Sequence, residues 1–434
     1  MKQALEEALG AKVERAVLLA GGASKEAWAV DTEDGRELLV RRAGGGVIHA
    51  GTLSLRDEFE VLHAAREAGV LAPESIAYLG EVAGREAFVM ERVRGETIGR
   101  RIVQRPELED ARRALPMQMA EQLALIHAIP RERLPALADD DPIERFYGEL
   151  DSVGEPHPAI ELGLRWVAER LPRDREHVVT HGDFRLGNLA VDENGLVGIL
   201  DWEFAHMGDP AEDVAWPLVR AWRFGVDGER LAGIAQVEPY LARYCELAGC
   251  DISLEELQVW EVFGNVKWAI GALRQSRRHL SGKQRSVELA ILGRLAAEME
   301  YELLDLIERH GLRRRGSDRS PPVPDTVSPT VSDTFSTVST ADRPVAGELA
   351  AAVREFLQAE LLPTLDDPRL RFRTLVAMNA LGIVERESPP PQDHDWELAR
   401  RIRAGDVPED ALTLVKQQVR EKLLVASPSY LDRY

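Results

Sequence analysis

The sequence predicts an α+β protein: a small antiparallel sheet at the N-terminal end, a larger and mostly helical part after it, and a small helical domain at the C-terminal end. Three observations carry this reading. Short apolar runs bounded by turn residues recur over residues 14–90. From 97 to 312 the apolar spacing is helical, broken by one strand–turn–strand signal at 189–200. Residues 313–343 are rich in Ser, Thr and Pro with little to pack, so they read as a disordered linker, and helical patterning returns beyond them.

Taken in order, residues 1–10 read as a short amphipathic helix and 14–20 as a strand. Gly21-Gly-Ala-Ser-Lys25 is a flexible turn. Strands follow at 26–31 and 36–42 around the turn Glu33-Asp-Gly35. A helix over 52–68 carries Phe59, Leu62 and Ala65 on its apolar face. Ala87-Phe-Val-Met90 reads as a buried strand leading into Glu91-Arg-Val-Arg-Gly95. Gln118–Ala128 is a periodic helix with Pro116 near its start, where proline is tolerated. Further helices are expected near 158–171, 211–223, 229–248, 253–279 and 284–310. Beyond the linker they are expected at 345–362, 369–386 and 408–424. His394 reads as a solvated residue of this last domain.

The chain has 434 residues and a formal charge of −20, from 54 basic and 74 acidic side chains. That balance argues against a nucleic-acid surface and is compatible with a cationic substrate. The first residues lack the apolar core of a signal peptide, and no run is long enough to span a membrane. Cys245 and Cys250 are too few for a zinc site, so a reduced cytoplasm is the expected location. No nucleic-acid or membrane partner is expected.

The chemistry concentrates in His181-Gly-Asp-Phe-Arg-Leu-Gly-Asn188, followed by Gly198-Ile-Leu-Asp201-Trp-Glu. Asn194-Gly195 between two apolar runs is a strong hairpin signal. Such a hairpin brings Asn188 and Asp201 together, an amide oxygen and a carboxylate able to share Mg²⁺. Asp183 then stands nearby as an acceptor for a hydroxyl proton. Upstream, the Gly21-Gly22 turn can bring backbone N–H groups to phosphate oxygens, with Ser24 adding a hydroxyl.

This arrangement resembles the protein-kinase-like superfamily, closest to its aminoglycoside phosphotransferase and choline kinase branch. The order strand, Gly turn, strand, strand, helix, strand, strand, connector resembles a kinase small lobe. Asp209-Pro-Ala-Glu-Asp213-Val-Ala-Trp216 resembles the segment that follows the metal-binding acid in those kinases. The resemblance implies a bilobal fold, with an N-lobe over 1–92 and a helical C-lobe over 93–312. The 313–343 linker and a helical domain of unknown function over 344–434 follow. That domain resembles one often joined to bacterial kinases of this branch.

The same resemblance implies ATP and Mg²⁺ as cofactors, Asp183 as base, and Asn188 and Asp201 as metal ligands. It maps the phosphate-holding cation of the third strand to Arg41, where kinases carry Lys. Arg42 is the alternative, since strand alternation sends only one of the pair inward. Glu58 is the partner on the following helix, and Met90, Glu91 and Val93 correspond to the adenine-binding hinge. His181 and Asp213 are expected to brace the loop, and Trp202 to pack.

The expected function is transfer of the ATP γ-phosphoryl group to a hydroxyl of a small molecule. The stretches Leu39–Gly46 and Arg56–Leu62 look like the kinase domains associated with acyl-CoA dehydrogenases, which points to a hydroxy acid or hydroxyacyl-CoA. The alternatives are an aminoglycoside, choline or sugar kinase, and an inactive kinase-like nucleotide-binding module. A protein kinase ranks lower because its His-Arg-Asp, Asp-Phe-Gly and Ala-Pro-Glu patterns are missing. The acceptor pocket is expected near residues 140–170 and 222–268.

Overall fold

A five-stranded antiparallel sheet is built from the first ninety-one residues of the chain. The computed structural model describes residues 1–19, 25–44, 51–172, 174–284, 287–310, 346–386 and 396–434. The expected 313–343 linker, His394, Gly21, Gly22 and Ser24 lie outside these. By its internal contacts the chain divides into two units. The first comprises residues 1–152 and 164–268, the second 153–163 and 269–434.

In the first unit, α1 (Lys2–Leu9) precedes β1 (Val13–Leu18), β2 (Lys25–Thr32) and β3 (Glu37–Ala43). Next come α2 (Leu55–Glu67), β4 (Ser75–Val82) and β5 (Arg85–Glu91). The strand order is β1-β2-β3-β5-β4. Alternation along β3 gives its two faces different work. Leu38, Val40 and Arg42 are buried on one face, where Leu38 and Val40 join Leu5, Val13, Val30, Val82 and Val89 in an apolar core. The opposite face carries Arg41, paired across to Phe88 of β5, whose ring meets Phe59 of α2 at 5.8 Å. Ser54 caps α2 by accepting the Asp57 N–H, and Glu58, Val61, Leu62 and Ala65 form its buried face.

Helices α3 (Gly99–Gln104), α4 (Glu109–His127) and α5 (Pro142–Val153) follow the sheet, and α6 runs over Pro158–Ala168. The long periodic helix starts at Glu109, so Pro116 sits inside it, not near its start as expected. Burial of Leu115, Met119, Leu123 and Ile126 along one stripe outweighs the hydrogen bond that a proline forgoes. The hairpin of β7 (Leu189–Asp192) and β8 (Gly195–Ile199) lies between β6 (Val178–Thr180) and β9 (His206–Gly208), which pair with each other. The helix expected over 211–223 is only α7 (Pro210–Ala215) followed by tight turns, because Pro217 cannot continue the ladder. That expected over 229–248 is confined to α8 (Val237–Ala248). α9 (Leu254–Leu280) contributes its residues up to Trp268 to this unit.

The second unit contains α10 (Val287–His310), α11 (Ala346–Phe356), α12 (Pro368–Arg386), α13 (Trp396–Ala404) and α14 (Ala411–Ala426). Acids on α10 meet cations of α14: Glu300 with Lys422 at 3.1 Å and Asp305 with Lys416 at 3.0 Å. The sequence reading had no helix at α13, whose nine residues follow directly on undescribed ones. Among the described residues, no helix is long and apolar enough to cross a membrane.

Candidate active site

The loop from His181 to Asn188 is anchored from below by Asp213 of α7. Asp213 accepts the backbone N–H groups of His181 at 2.6 Å and Gly182 at 2.9 Å. Nε2 of His127 meets the same carboxylate at 3.3 Å, and its Nδ1 meets the Tyr244 hydroxyl at 2.7 Å. Burial alone would raise the Asp213 carboxyl, but His127 and the His181 N–H hold it below its ordinary value. The His181 ring is fully buried, which weakens its hold on a proton. Its Nδ1 accepts the Asp183 N–H and its Nε2 donates to the Leu200 carbonyl at 3.0 Å, so the neutral ring braces the loop. Gly182 has φ +76°, and a Cβ there would lie 2.3 Å from the Phe204 carbonyl oxygen; only glycine fits.

Asp183 is held from three sides. Trp216 Nε1 and Arg185 Nε donate to its Oδ1 at 2.7 and 3.0 Å, and Asn188 Nδ2 donates to its Oδ2 at 2.6 Å. The Arg185 guanidinium lies over the ring of Trp222, within a cluster of Trp216, Trp222 and Trp268. Asn188 spends its amide nitrogen on Asp183, which leaves its side-chain oxygen as the atom suited to a cation. Leu200 N–H donates to the Asn188 carbonyl and Leu189 pairs with Ile199, so Asn188 and Asp201 sit at neighbouring strand ends. Asp201 adopts a left-handed φ of 63°, which aspartate tolerates better than most residues. Its carboxylate is 35% exposed and meets Arg41 Nη2 at 3.3 Å.

An amide oxygen and an accessible carboxylate at neighbouring strand ends are the donor types that suit a hard cation such as Mg²⁺. Among the described residues no group of three or more His, Cys, Asp or Glu could hold a metal alone. A cation at Asn188 and Asp201 would therefore complete its shell with water and phosphate oxygens, the usual habit of Mg²⁺.

Across from the loop, charge gathers on β2, β3 and α2. Arg41 Nη2 lies 3.1 Å from Glu58, 3.3 Å from Asp201 and 3.7 Å from Glu203. Burial opposes the Arg41 charge, and those three acids outweigh it. Lys25 Nζ lies 2.7 Å from Glu58, donates to the Leu53 carbonyl at 2.9 Å and lies 3.5 Å from Glu203. Burial and the neighbouring Asp201 push the Glu203 carboxyl up. Arg42 faces the other way and pairs with Glu26 at 2.6 Å.

The structure thus gathers Asp183 with Asn188, and Arg41 with Glu58 and Asp201. Met90 is buried on β5, the Glu91 carboxylate accepts the Glu74 N–H, and Val93 packs against Gly198 of the hairpin. Sequence reasoning missed Lys25, Glu203, Trp216 as a partner of Asp183, and Lys267. Lys25 had a signal, since it ends the Gly21-Gly-Ala-Ser-Lys25 run read from the sequence as a phosphate-facing turn, although it opens β2. Lys267 had none. A cavity of about 250 Å³ in this unit is lined by Asp139, Asp141, His177, Trp260, Glu212 and Lys267 among others. Asp183 does not line it, but two of its lining residues reach the loop at Gly182: Lys267, whose ammonium donates to the Gly182 carbonyl, and Phe204, whose carbonyl abuts the glycine.

The model of the phosphotransferase enzyme family matches residues 15–251, more than half of the chain. The chain belongs to that family. ATP with Mg²⁺ is the typical cofactor pair of this phosphotransferase family. Mouse acyl-CoA dehydrogenase family member 10 is 26% identical over 309 residues, 64% of this chain and 28% of the mouse protein. Human acyl-CoA dehydrogenase family member 11 is 27% identical over 274 residues, 58% of this chain and 35% of the human protein. The chain therefore spans about a third of the length of these curated relatives. A Ralstonia eutropha structure assigned as an aminoglycoside phosphotransferase superposes with a TM-score of 0.58 at 18% identity. It covers 71% of this chain and 98% of its own. That likeness shows a kinase-like fold, with an antiparallel-sheet lobe followed by a helical one.

Proposed function

We propose that this phosphotransferase moves the γ-phosphoryl group of ATP to the hydroxyl of a small molecule. The observation that carries the reading is Asp183, fixed by Trp216, Arg185 and Asn188, with Asn188 and Asp201 at the ends of two paired strands. Asp183 takes the hydroxyl proton as the acceptor oxygen bonds to the γ-phosphorus. The bond from that phosphorus to the β,γ-bridging oxygen breaks, and ADP leaves. Asn188 and Asp201 would hold Mg²⁺, which would supply charge neutralisation at the phosphates. Arg41 faces the phosphates, and Lys25 keeps Glu58 neutralised when Arg41 shifts towards them. Gly21, Gly22 and Ser24 contribute N–H and hydroxyl donors, and the backbone at Met90, Glu91 and Val93 receives adenine. Two free cysteines fit a reducing cytoplasm.

For the acceptor, the likeness to acyl-CoA dehydrogenase family members 10 and 11 supports a hydroxy acid or hydroxyacyl-CoA. The acidic run Asp139–Asp141 on the cavity favours a cationic aminoglycoside as the second reading. An ADP-release screen over hydroxyacyl-CoAs, hydroxy acids, aminoglycosides, choline and sugars separates them. Asp183→Asn is expected to cut turnover by about a thousandfold while Mg·ATP still protects the protein from heat. Turnover surviving in that variant would remove Asp183 from the reaction. Absence of ADP release with every acceptor would favour the nucleotide-binding module.

A further inference from the structure

Lys267 stands on α9, 85 positions from Gly182 along the chain, and three contacts converge on its ammonium. It donates to the Gly182 carbonyl at 2.7 Å, pairs with Glu212 at 2.9 Å, and lies 4.7 Å above the Trp216 ring centroid. Gly182 immediately precedes Asp183, and Trp216 donates to the Asp183 carboxylate. The ammonium therefore reaches the proposed base by two separate routes, one through the backbone and one through an indole. A cation over an aromatic face restrains the ring as well as attracting it. A charged donor on a backbone carbonyl is among the stronger hydrogen bonds available.

The Lys267 side chain is 17% exposed, so water competes weakly for these contacts. Burial would raise the Glu212 carboxyl, yet Lys267 and His206 hold it far below its ordinary value, so Glu212 meets Lys267 as a carboxylate. Glu212 in turn meets His206 Nε2 at 3.2 Å, so the ammonium is tethered from behind. Lys267 also lines the cavity.

We propose that Lys267 is a positioning residue for Asp183, fixing that carboxylate by holding the Gly182 carbonyl and the Trp216 indole together. This rests on Asp183 being the base, as argued above. The competing account is that Lys267 only neutralises buried Glu212. A third is that it contacts the acceptor directly from the cavity.

The test uses the full chain, Mg·ATP and the acceptor that scores highest in the ADP-release screen. Lys267→Met is expected to lower kcat by about 10- to 100-fold with both KM values within about threefold, since a misplaced base loses rate and not binding. Lys267→Arg keeps a charged donor and an aromatic stack, and should recover to within about fivefold of wild type. The double variant Lys267→Met with Glu212→Gln restores charge balance without restoring the contacts, and should stay as slow as Lys267→Met alone. Amide hydrogen exchange in the peptide covering 179–189 should quicken in Lys267→Met and return to normal in Lys267→Arg.

Recovery in the double variant would reduce Lys267 to a counter-charge. A rise in acceptor KM at unchanged kcat would make it a substrate contact. Unchanged exchange in the loop would overturn the positioning role outright. A wild type inert towards every acceptor would refute the phosphotransfer reading by itself, and loop exchange would still decide whether Lys267 holds the loop.

Discussion

Asp213 and Glu58 are both buried carboxylates, at 0% and 2% exposure, but their partners differ in kind. Asp213 receives two backbone N–H groups and one imidazole, all fixed by the fold. Glu58 is matched by the ends of two long side chains, Lys25 and Arg41, and Arg41 is shared with Asp201 and Glu203. Two cations thus face three acids there, and the buried Arg41 Nε has no hydrogen-bond partner among the described residues. A carboxylate clamped by backbone sets geometry and has nothing to exchange. A cluster with a shared cation and an idle donor is free to trade partners. Buried charge alone therefore does not mark a working site; the way it is satisfied does.

The largest expected effect tests the clamped side. Asp213→Ala leaves two backbone donors and His127 facing a hole. It should cost about 3 kcal/mol of unfolding free energy, read by denaturant titration. A loss no larger than that of a surface substitution would mean the loop does not depend on this clamp. Next comes the exchangeable side. Arg41→Met should weaken Mg·ATP binding by about tenfold, equal to about 1.4 kcal/mol, with a smaller stability loss than Asp213→Ala. Isothermal titration and thermal unfolding of the same samples decide it. Unchanged nucleotide affinity with a large stability loss would make Arg41 a structural charge and erase the contrast.

The smallest effect is a pH slope. The folded Asp213 carboxyl lies below its ordinary value of 3.8, so the unfolded chain takes up its proton first as pH falls. Its stabilisation is complete above pH 3.8 and drains away as pH drops towards the lower folded value. Asp213→Asn should flatten the acid limb of stability by at most about 1.4 kcal/mol per pH unit. Identical limbs in the two proteins would show that other carboxylates govern acid unfolding.

Legibility along the chain follows the range of the interaction. The β7–β8 hairpin was readable because Asn194-Gly195 and its apolar flanks are contiguous, but the register pairs Asp192 with Gly195, so Glu193 and Asn194 are the central turn residues and the Asn-Gly pair is not. The spacing of apolar residues announced α2, α9 and α10. It misplaced the start of α4 and overextended the segments around α7 and α8. There, burial of one stripe and a single proline decided the outcome, and local propensity did not. The resemblance pointed to Arg41 with Arg42 as the alternative, and strand alternation allowed only one of them inward; that Arg41 is the one facing Glu58 was decided by what packs against each face.

By itself, then, the sequence determined the class of fold and the local frame of the site: an antiparallel sheet, a helical part, and a loop ending in a hairpin. Those depend on period, turn chemistry and glycine, all properties of neighbouring residues. Only the tertiary structure decided that Lys25 and Arg41 share Glu58, that Trp216 donates to Asp183, and that Lys267 closes on Gly182. Each of those contacts joins residues far apart in the chain, and the energy that selects them is burial and charge pairing, which no local pattern records.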